Sequence, residues 1–385
     1  MRRAPVEEPP AERDPDRPIR VAHVATTLNI GGAEQLLLDL CRRFPALGIE
    51  PTVTYIKGQG PFTPEFEAAG IPVRRVKMMA ALDPFLVPRL AHHLERLEPD
   101  IVHTHMFKAD LHGALAAWMA DVDHLLSTKH AADEQRAWWP VAVVDRWLAR
   151  RSDAILAVSH DMAQFTIDVE GFPAEHIKVI LNGIDLARAR PTRDRAAVRH
   201  ELDVPEDAPL VLATARLHYS KGHKVLLEAM RSVRAELPTA ILAIAGDGDE
   251  KHRLMRLAHP DGEAVRFLGV HRDIGDLLGA CDCYVLPSLR EGLGLSCVEA
   301  MAAGCPAVAT TVGGLPEVLT DAVDGLAIPP GDAPAMARAI LRLLQDRELA
   351  ARLAANAQVN ARERFDVDRT AGEYAALYRQ VLGLS

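Results

Sequence analysis

Residues 285–317 read VLPSLREGLGLSCVEAMAAGCPAVATTVGGLPE, and the order of features in this stretch decides the fold. An apolar run, Tyr284–Leu286, stops at Pro287, and a loop carrying Gly292 and Gly294 leads into a helical pattern over Cys297–Ala303. A second short apolar run, Ala307–Thr310, follows. Strand, glycine loop, helix and strand in that order form a βαβ unit, which calls for a parallel sheet. A glycine loop opening a helix brings unpaired backbone N–H groups and a positive dipole to one spot, an arrangement suited to an anion. Glu291 lies on the loop and Glu299 is expected in the first helical turn. Ser296 and Glu299 have the spacing of a capping box, which alone would account for Glu299 but not for Glu291.

The same alternation extends in both directions. Upstream, IRVAHVA from Ile19 reads as a buried first strand, followed by strand patterns at Thr52–Ile56, Val73–Val76, Ile101–His103, His124–Ser127, Ala154–Val158 and Val179–Leu181. Residues 186–208 are charged, hold two prolines and offer no strand. The alternation then restarts at Leu210–Thr214 and runs through Ala240–Ile244 and Val265–Leu268 to Leu326–Ile328. The expected fold class is therefore α/β, with two doubly wound Rossmann-like domains facing each other across a cleft. Residues 1–18 form a polar tail expected to be disordered, 19–187 the first domain, 188–208 a linker and 209–366 the second domain.

Composition narrows the function. A chain of 385 residues with 44 Lys plus Arg against 53 Asp plus Glu carries a formal charge of −9, the opposite of a nucleic-acid footprint. Its five cysteines are an odd number and read as free thiols in a reducing compartment. The N-terminus lacks the apolar core of a secretory signal, and no apolar run approaches the ~20 residues of a membrane span. A cytoplasmic protein is expected.

Several residues could carry chemistry. ATARLHYSKG puts Arg216 and Lys221 in the loop after the second domain's first strand, where two fixed cations suit a diphosphate. Gly31 and Gly32 make a βα turn in the first domain without the G-x-G-x-x-G spacing, which disfavours a dinucleotide. His103, His105, His130 and His160 fall near strand ends. No carboxylate or cysteine stands at a third-ligand spacing, so they are expected to form a polar wall of the cleft, with His130 best placed, and no metal site is assigned. Asp247-Gly248-Asp249 reads as a strand-ending turn. Trp139, Val143 and Trp147 share a helix face near Arg136, Arg146, Arg150 and Arg151. That face is expected to pack on the first-domain sheet, with contact to a membrane surface as the alternative.

Taken together, EGLGLSCVEAMAAGCPAVAT resembles the E-x7-E segment of retaining glycosyltransferases of family 4, which adopt the GT-B fold, and ARLHYSKG resembles their donor-phosphate motif. GGAE, VHTH, STKH, VSHDM, LNGID, AGDGDE, FLG and GGLPEV follow in that family's order, from Ile19 to about Asp366. The resemblance implies a nucleotide-sugar donor, with a UDP-sugar favoured, bound by the second domain, and an acceptor bound by the first. Arg216 and Lys221 would hold the diphosphate, Glu299 the ribose and Glu291 the donor sugar. Gly294 and Leu295 would meet the phosphate or sugar through backbone N–H groups, with Gly32 opposite. His130 would lie by the donor sugar, and Val270 and His271 near the base. Residues 367–385 would be a C-terminal helix crossing back to the first domain. No cofactor and no metal are implied.

GT-B enzymes of this kind use Arg and Lys in place of a divalent cation. Leu293 stands where the family often has phenylalanine. The implied activity is retaining transfer to a glycan or lipid-linked acceptor in bacterial surface polysaccharide or glycolipid assembly, with peripheral contact at the inner membrane face and an open oligomeric state. The alternatives are a nucleotide-sugar epimerase on the same scaffold and a non-catalytic two-lobed sugar-binding protein.

Overall fold

The computed structural model describes residues 17–80, 83–130 and 139–384. The tail expected over residues 1–18 therefore lies, apart from Arg17 and Pro18, outside the described residues, as does Arg136. The first sheet contains β1 (Ile19–Ala25), β2 (Ile49–Tyr55), β3 (Val73–Arg75), β4 (Ile101–His105), β5 (His124–Lys129), β6 (Ala154–Ala157) and β7 (Ile177–Val179). The second contains β8 (Leu210–Thr214), β9 (Ile241–Ala245), β10 (Val265–Gly269), β11 (Cys283–Leu286), β12 (Ala307–Thr310) and β13 (Leu326–Ile328). Their orders are β3-β2-β1-β4-β5-β6-β7 and β10-β9-β8-β11-β12-β13, and every pairing is parallel. Each order reverses once, between β1 and β4 and between β8 and β11, and ligands of such sheets settle at the carboxyl ends beside that reversal.

The strands are nearly continuous apolar runs because helices cover both faces. Leu210, Val211, Leu212 and Ala213 of β8 are all buried. β4 is longer than its sequence pattern indicates and runs through His103, Thr104 and His105. Those polar side chains are buried, and their backbones pair in register with both β1 and β5. In the charged stretch 186–208 there is a helix, Arg195–Glu201, capped by the Asp194 carboxylate. Its Val198 joins the second domain's core, and the buried Arg199 guanidinium donates to the carbonyls of Ala280 and Pro205 at 2.9 Å. All five cysteines are free and buried.

The chain crosses between the lobes twice, in segments that lie side by side. Ile184 N–H donates to Phe365 O at 2.8 Å, and Val367 N–H donates to Ile184 O at 3.0 Å. From there the helix Val367–Val381 returns to the first domain, where Val367, Ala371, Tyr374 and Tyr378 enter the core between β1 and the helix Gly32–Arg43. Arg43 ties the crossing down by pairing with Asp185 at 3.4 Å and with Asp368.

Candidate active site between the two domains

Residues 287–295 form the centre of the site. The helix after this loop starts at Leu295, two residues earlier than the capping-box reading requires, with Gly294 as its N-cap at φ +98°, a left-handed conformation that suits glycine. Ser296 therefore lies inside the helix and caps nothing. Glu299 falls in the second turn instead of the first, and its Oε1 accepts from Arg188 Nη2 at 2.6 Å. Glu291 on the loop accepts from Lys221 Nζ at 2.7 Å and from Ser288 Oγ at 2.9 Å, both at Oε2. A Cβ at Gly292 would stand 2.2 Å from the His130 carbonyl oxygen, so only glycine lets this loop reach the first domain. A Cβ at Gly32 would come 3.7 Å from Leu295 Cδ1, which sets the two glycine turns face to face.

Lys221, Glu291, Gly294, Leu295, Gly32 and His130 are thus brought together. Arg216 is exposed in the loop after β8, and no bond joins it to either glutamate among the described residues. Val270 and His271 follow the edge strand β10, whose neighbour Arg272 reaches Glu65 of the first domain at 2.8 Å. Asp247 pairs with Lys251 at 2.8 Å and caps Gly248 N–H, as in a strand-ending turn.

Glu34 joins the site without being expected there: it is buried at the first turn of the helix Gly32–Arg43 and accepts from Thr27 Oγ1 at 2.9 Å. Burial raises its pKa, opposed by that bond and by the field of Arg216, so Glu34 belongs to the electrostatics of the cleft. The acid in GGAE was the available signal. Asp39 is a second such residue. Arg188 bridges it at 3.1 Å to Glu299, joining a first-domain helix to a second-domain helix through one guanidinium. Burial raises both carboxyls, and Arg188 opposes that rise.

Two expectations are corrected. His103 and His105 do not line the cleft. They are 0% and 3% exposed and cluster with His23 of β1 inside the first domain, because β4 is a central strand with both faces covered. The Trp147 face does not pack on the sheet. Leu148 and Ala149 do so, while Val143 and Trp147 are 60% and 37% exposed. Trp147 meets Trp118 edge to face at 6.2 Å and lies under the Arg151 guanidinium.

Residues 30–188 match the family described as Glycosyltransferase Family 4, and residues 194–360 match Glycosyl transferases group 1. The chain is 33% identical over 302 residues to a D-inositol 3-phosphate glycosyltransferase of Xylanimonas cellulosilytica, covering 73% of this chain and 72% of that one. It is 31% identical over 329 residues to the lipopolysaccharide core biosynthesis glycosyltransferase LpsE of Rhizobium meliloti, covering 84% and 88%. Its fold matches that of Anabaena Alr3699/HepE in complex with UDP-glucose, with a TM-score of 0.84 and 27% identity over 94% of this chain and 100% of that one.

A second set of contacts holds the lobes at the far side of the loop. Ser159 Oγ donates to Gly292 O at 2.9 Å. Glu317 reaches from the second domain to the start of the helix His160–Asp168, accepting from His160 N, His160 Nδ1 and Asp161 N at 2.8–3.1 Å. Burial raises the Glu317 carboxyl, and these bonds outweigh it, so the net pKa is lowered. A lowered carboxylate stabilises the fold above the ordinary carboxylate range, and that contribution is lost as pH falls through its folded value. Glu317→Gln should therefore cost on the order of 1 kcal/mol near neutral pH. In thermal melts the gap to the wild type should close below about pH 4. A gap independent of pH would show that the carboxylate charge does not hold this contact.

Proposed function

This chain belongs to the glycosyltransferases that pair a family 4 domain with a group 1 domain in the GT-B fold, and we propose that it moves a sugar from a nucleotide-diphosphate sugar to an acceptor hydroxyl with retention of configuration. The observation that carries this reading is the Lys221–Glu291 pair at 2.7 Å beside the helix N-terminus at Gly294 and Leu295. When the glycosidic bond breaks, one further negative charge gathers on the departing diphosphate, which already carries one on each phosphate. Lys221 and the N–H groups at Leu295 are fixed in advance to receive that charge, the exposed Arg216 adds a second cation from the loop after β8, and preorganised electrostatics of this kind is the largest single contribution in most enzymes. Glu291 is held by Lys221 and Ser288 and acts as a positioning and charge-stabilising group rather than a nucleophile. In the proposed front-face reaction the leaving phosphate oxygen takes the acceptor's proton. The acceptor oxygen bonds to the anomeric carbon on the side the phosphate leaves.

Glu299 Oε1 is engaged by Arg188, while Oε2 has no bond among the described residues and suits a ribose hydroxyl. A UDP-sugar is favoured as donor, since the similar HepE protein is described in complex with UDP-glucose. A glycan or lipid-linked acceptor is favoured, and the relative named for lipopolysaccharide core biosynthesis supports that reading. No helix among the described residues is long and apolar enough to cross a membrane. Trp118, Met119, Val143 and Trp147 are nevertheless exposed side by side with Arg150 and Arg151, the pattern of a peripheral lipid contact.

UDP should raise the melting temperature more than GDP or ADP, because a ligand bound only by the folded state stabilises it. Lys221→Ala should abolish that shift and lower turnover roughly 10²–10³-fold, whereas EDTA should change neither. The absence of a shift with any nucleotide, or unimpaired turnover in Lys221→Ala, would refute the donor site. Trp118→Ser combined with Trp147→Ser should weaken co-sedimentation with anionic vesicles and leave UDP binding intact. Unchanged sedimentation would remove the lipid contact.

A further inference from the structure

Three imidazoles run in line from the middle of the first domain to the cleft. His23 of β1 and His105 of β4 sit on neighbouring central strands, with His23 paired in register to His103 and Ala25 to His105. His23 Nδ1 lies 3.0 Å from His105 Nε2, and His105 Nδ1 lies 3.2 Å from His130 Nε2. The second nitrogen of His130 has no protein partner among the described residues, and His23 Nε2 at the inner end is buried without one. His130 carries its backbone carbonyl against Gly292, so the outer end of the file stands at the loop that holds Glu291.

His23, His103 and His105 also offer nitrogens within 4.8 Å of one another, close enough to suggest a cation site. The bonding decides against it. Both nitrogens of His103 are engaged, by Tyr378 OH at 2.6 Å and Thr128 Oγ1 at 2.8 Å. The facing nitrogens of His23 and His105 bond to each other instead of turning to a shared third point.

Burial holds all three rings of the file neutral, with His23 lowered to about 3, His130 to about 4 and His105 well below its ordinary value. A neutral imidazole has one N–H and one bare nitrogen. Two links in series therefore allow only two arrangements, with all protons pointing outward or all pointing inward. The inward arrangement leaves an N–H at His23 Nε2 buried without an acceptor. The outward one leaves a bare nitrogen there, and orphaned buried N–H groups are the rarer of the two.

We propose that His105, backed by His23, is a positioning residue for His130, and that the file holds His130 in the tautomer with its proton on Nδ1. His130 then presents an N–H donor at the cleft, aimed at an oxygen of the bound donor. Fixing a ring's tautomer from behind is a task usually given to a carboxylate or a carbonyl. Here two further imidazoles do it, and the ring keeps no net charge. The inference rests on His130 lining the donor site, the reading proposed above.

The test is imidazole nitrogen NMR on the full chain with labelled histidine, with the His130 signals assigned by their loss in His130→Gln. The wild type should show one neutral His130 tautomer, protonated on Nδ1. His23→Asn puts before His105 Nε2 an amide that can either donate or accept, and so frees His105 to reverse. In that variant His130 should sample both tautomers and kcat should fall roughly tenfold, with little change in the donor KM. His105→Asn supplies the same tautomer readout if the smaller side chain at 23 is not accommodated. A mixed or Nε2-protonated His130 in the wild type, an unchanged tautomer in both variants, or an equivalent of zinc in the purified protein that His23→Asn removes would each overturn the proposal. Failure of the donor reading shows separately, as absence of any nucleotide-induced thermal shift, and leaves the tautomer readout standing.

Discussion

The pair of backbone hydrogen bonds between Ile184 and the Phe365–Val367 segment is the constraint on which the rest of the molecule depends. There the chain passes from the second domain back to the first. The helix that follows places Tyr374 and Tyr378 in the first domain's core. Both ends of the second domain are anchored to the first, and the loops at the carboxyl ends of the two sheets meet. Gly292 can then touch the His130 carbonyl and Gly32 can face Leu295. A site assembled in this way needs no long reach from any side chain. Short loops at two strand ends supply the groups, and rigid sheets fix the distances between them.

The charges in the cleft are arranged in pairs that leave capacity for a ligand. Lys221 is held by Glu291, yet an ammonium has three donors, and the exposed Arg216 is bound to neither glutamate. Arg188 spans Asp39 and Glu299, so a first-domain carboxylate and a second-domain carboxylate share one cation at the back of the cleft. Buried carboxylates cost free energy unless paired, and the raised pKa values of Asp39 and Glu299 register that cost. The same pairing couples the spacing of the lobes to the carboxylate proposed to meet the ribose.

Much of this was legible in the sequence. Two parallel α/β sheets could be read from alternating apolar runs and helical stretches, because strands buried on both faces leave little room for polar residues. The Glu291 loop was legible because glycines just before a helix have few other uses. What could not be read depended on residues far apart in the chain. His23 joins His103 and His105 only because β1 and β4 are neighbours in the sheet, and no local spacing announces that. The polar string His103-Thr104-His105 likewise hid the end of β4, since its burial depends on helices elsewhere. Ser296 and Glu299 have capping spacing, yet Gly294 starts the helix earlier and frees Glu299 for Arg188. The Trp147 helix shows the limit of periodicity. A stripe of tryptophan and valine marks one face as apolar, and only the packing shows that Leu148 and Ala149 are the buried side.

The central claim is that a nucleoside diphosphate is received where Lys221, Gly294 and Leu295 meet the first domain's glycine turn. A crystal structure of the full chain with UDP tests it most directly. Phosphate oxygens are expected about 3 Å from Lys221 Nζ and from the N–H groups at the start of the Leu295 helix, with the ribose on Glu299. A diphosphate bound elsewhere, with Lys221 still paired only to Glu291, would contradict it.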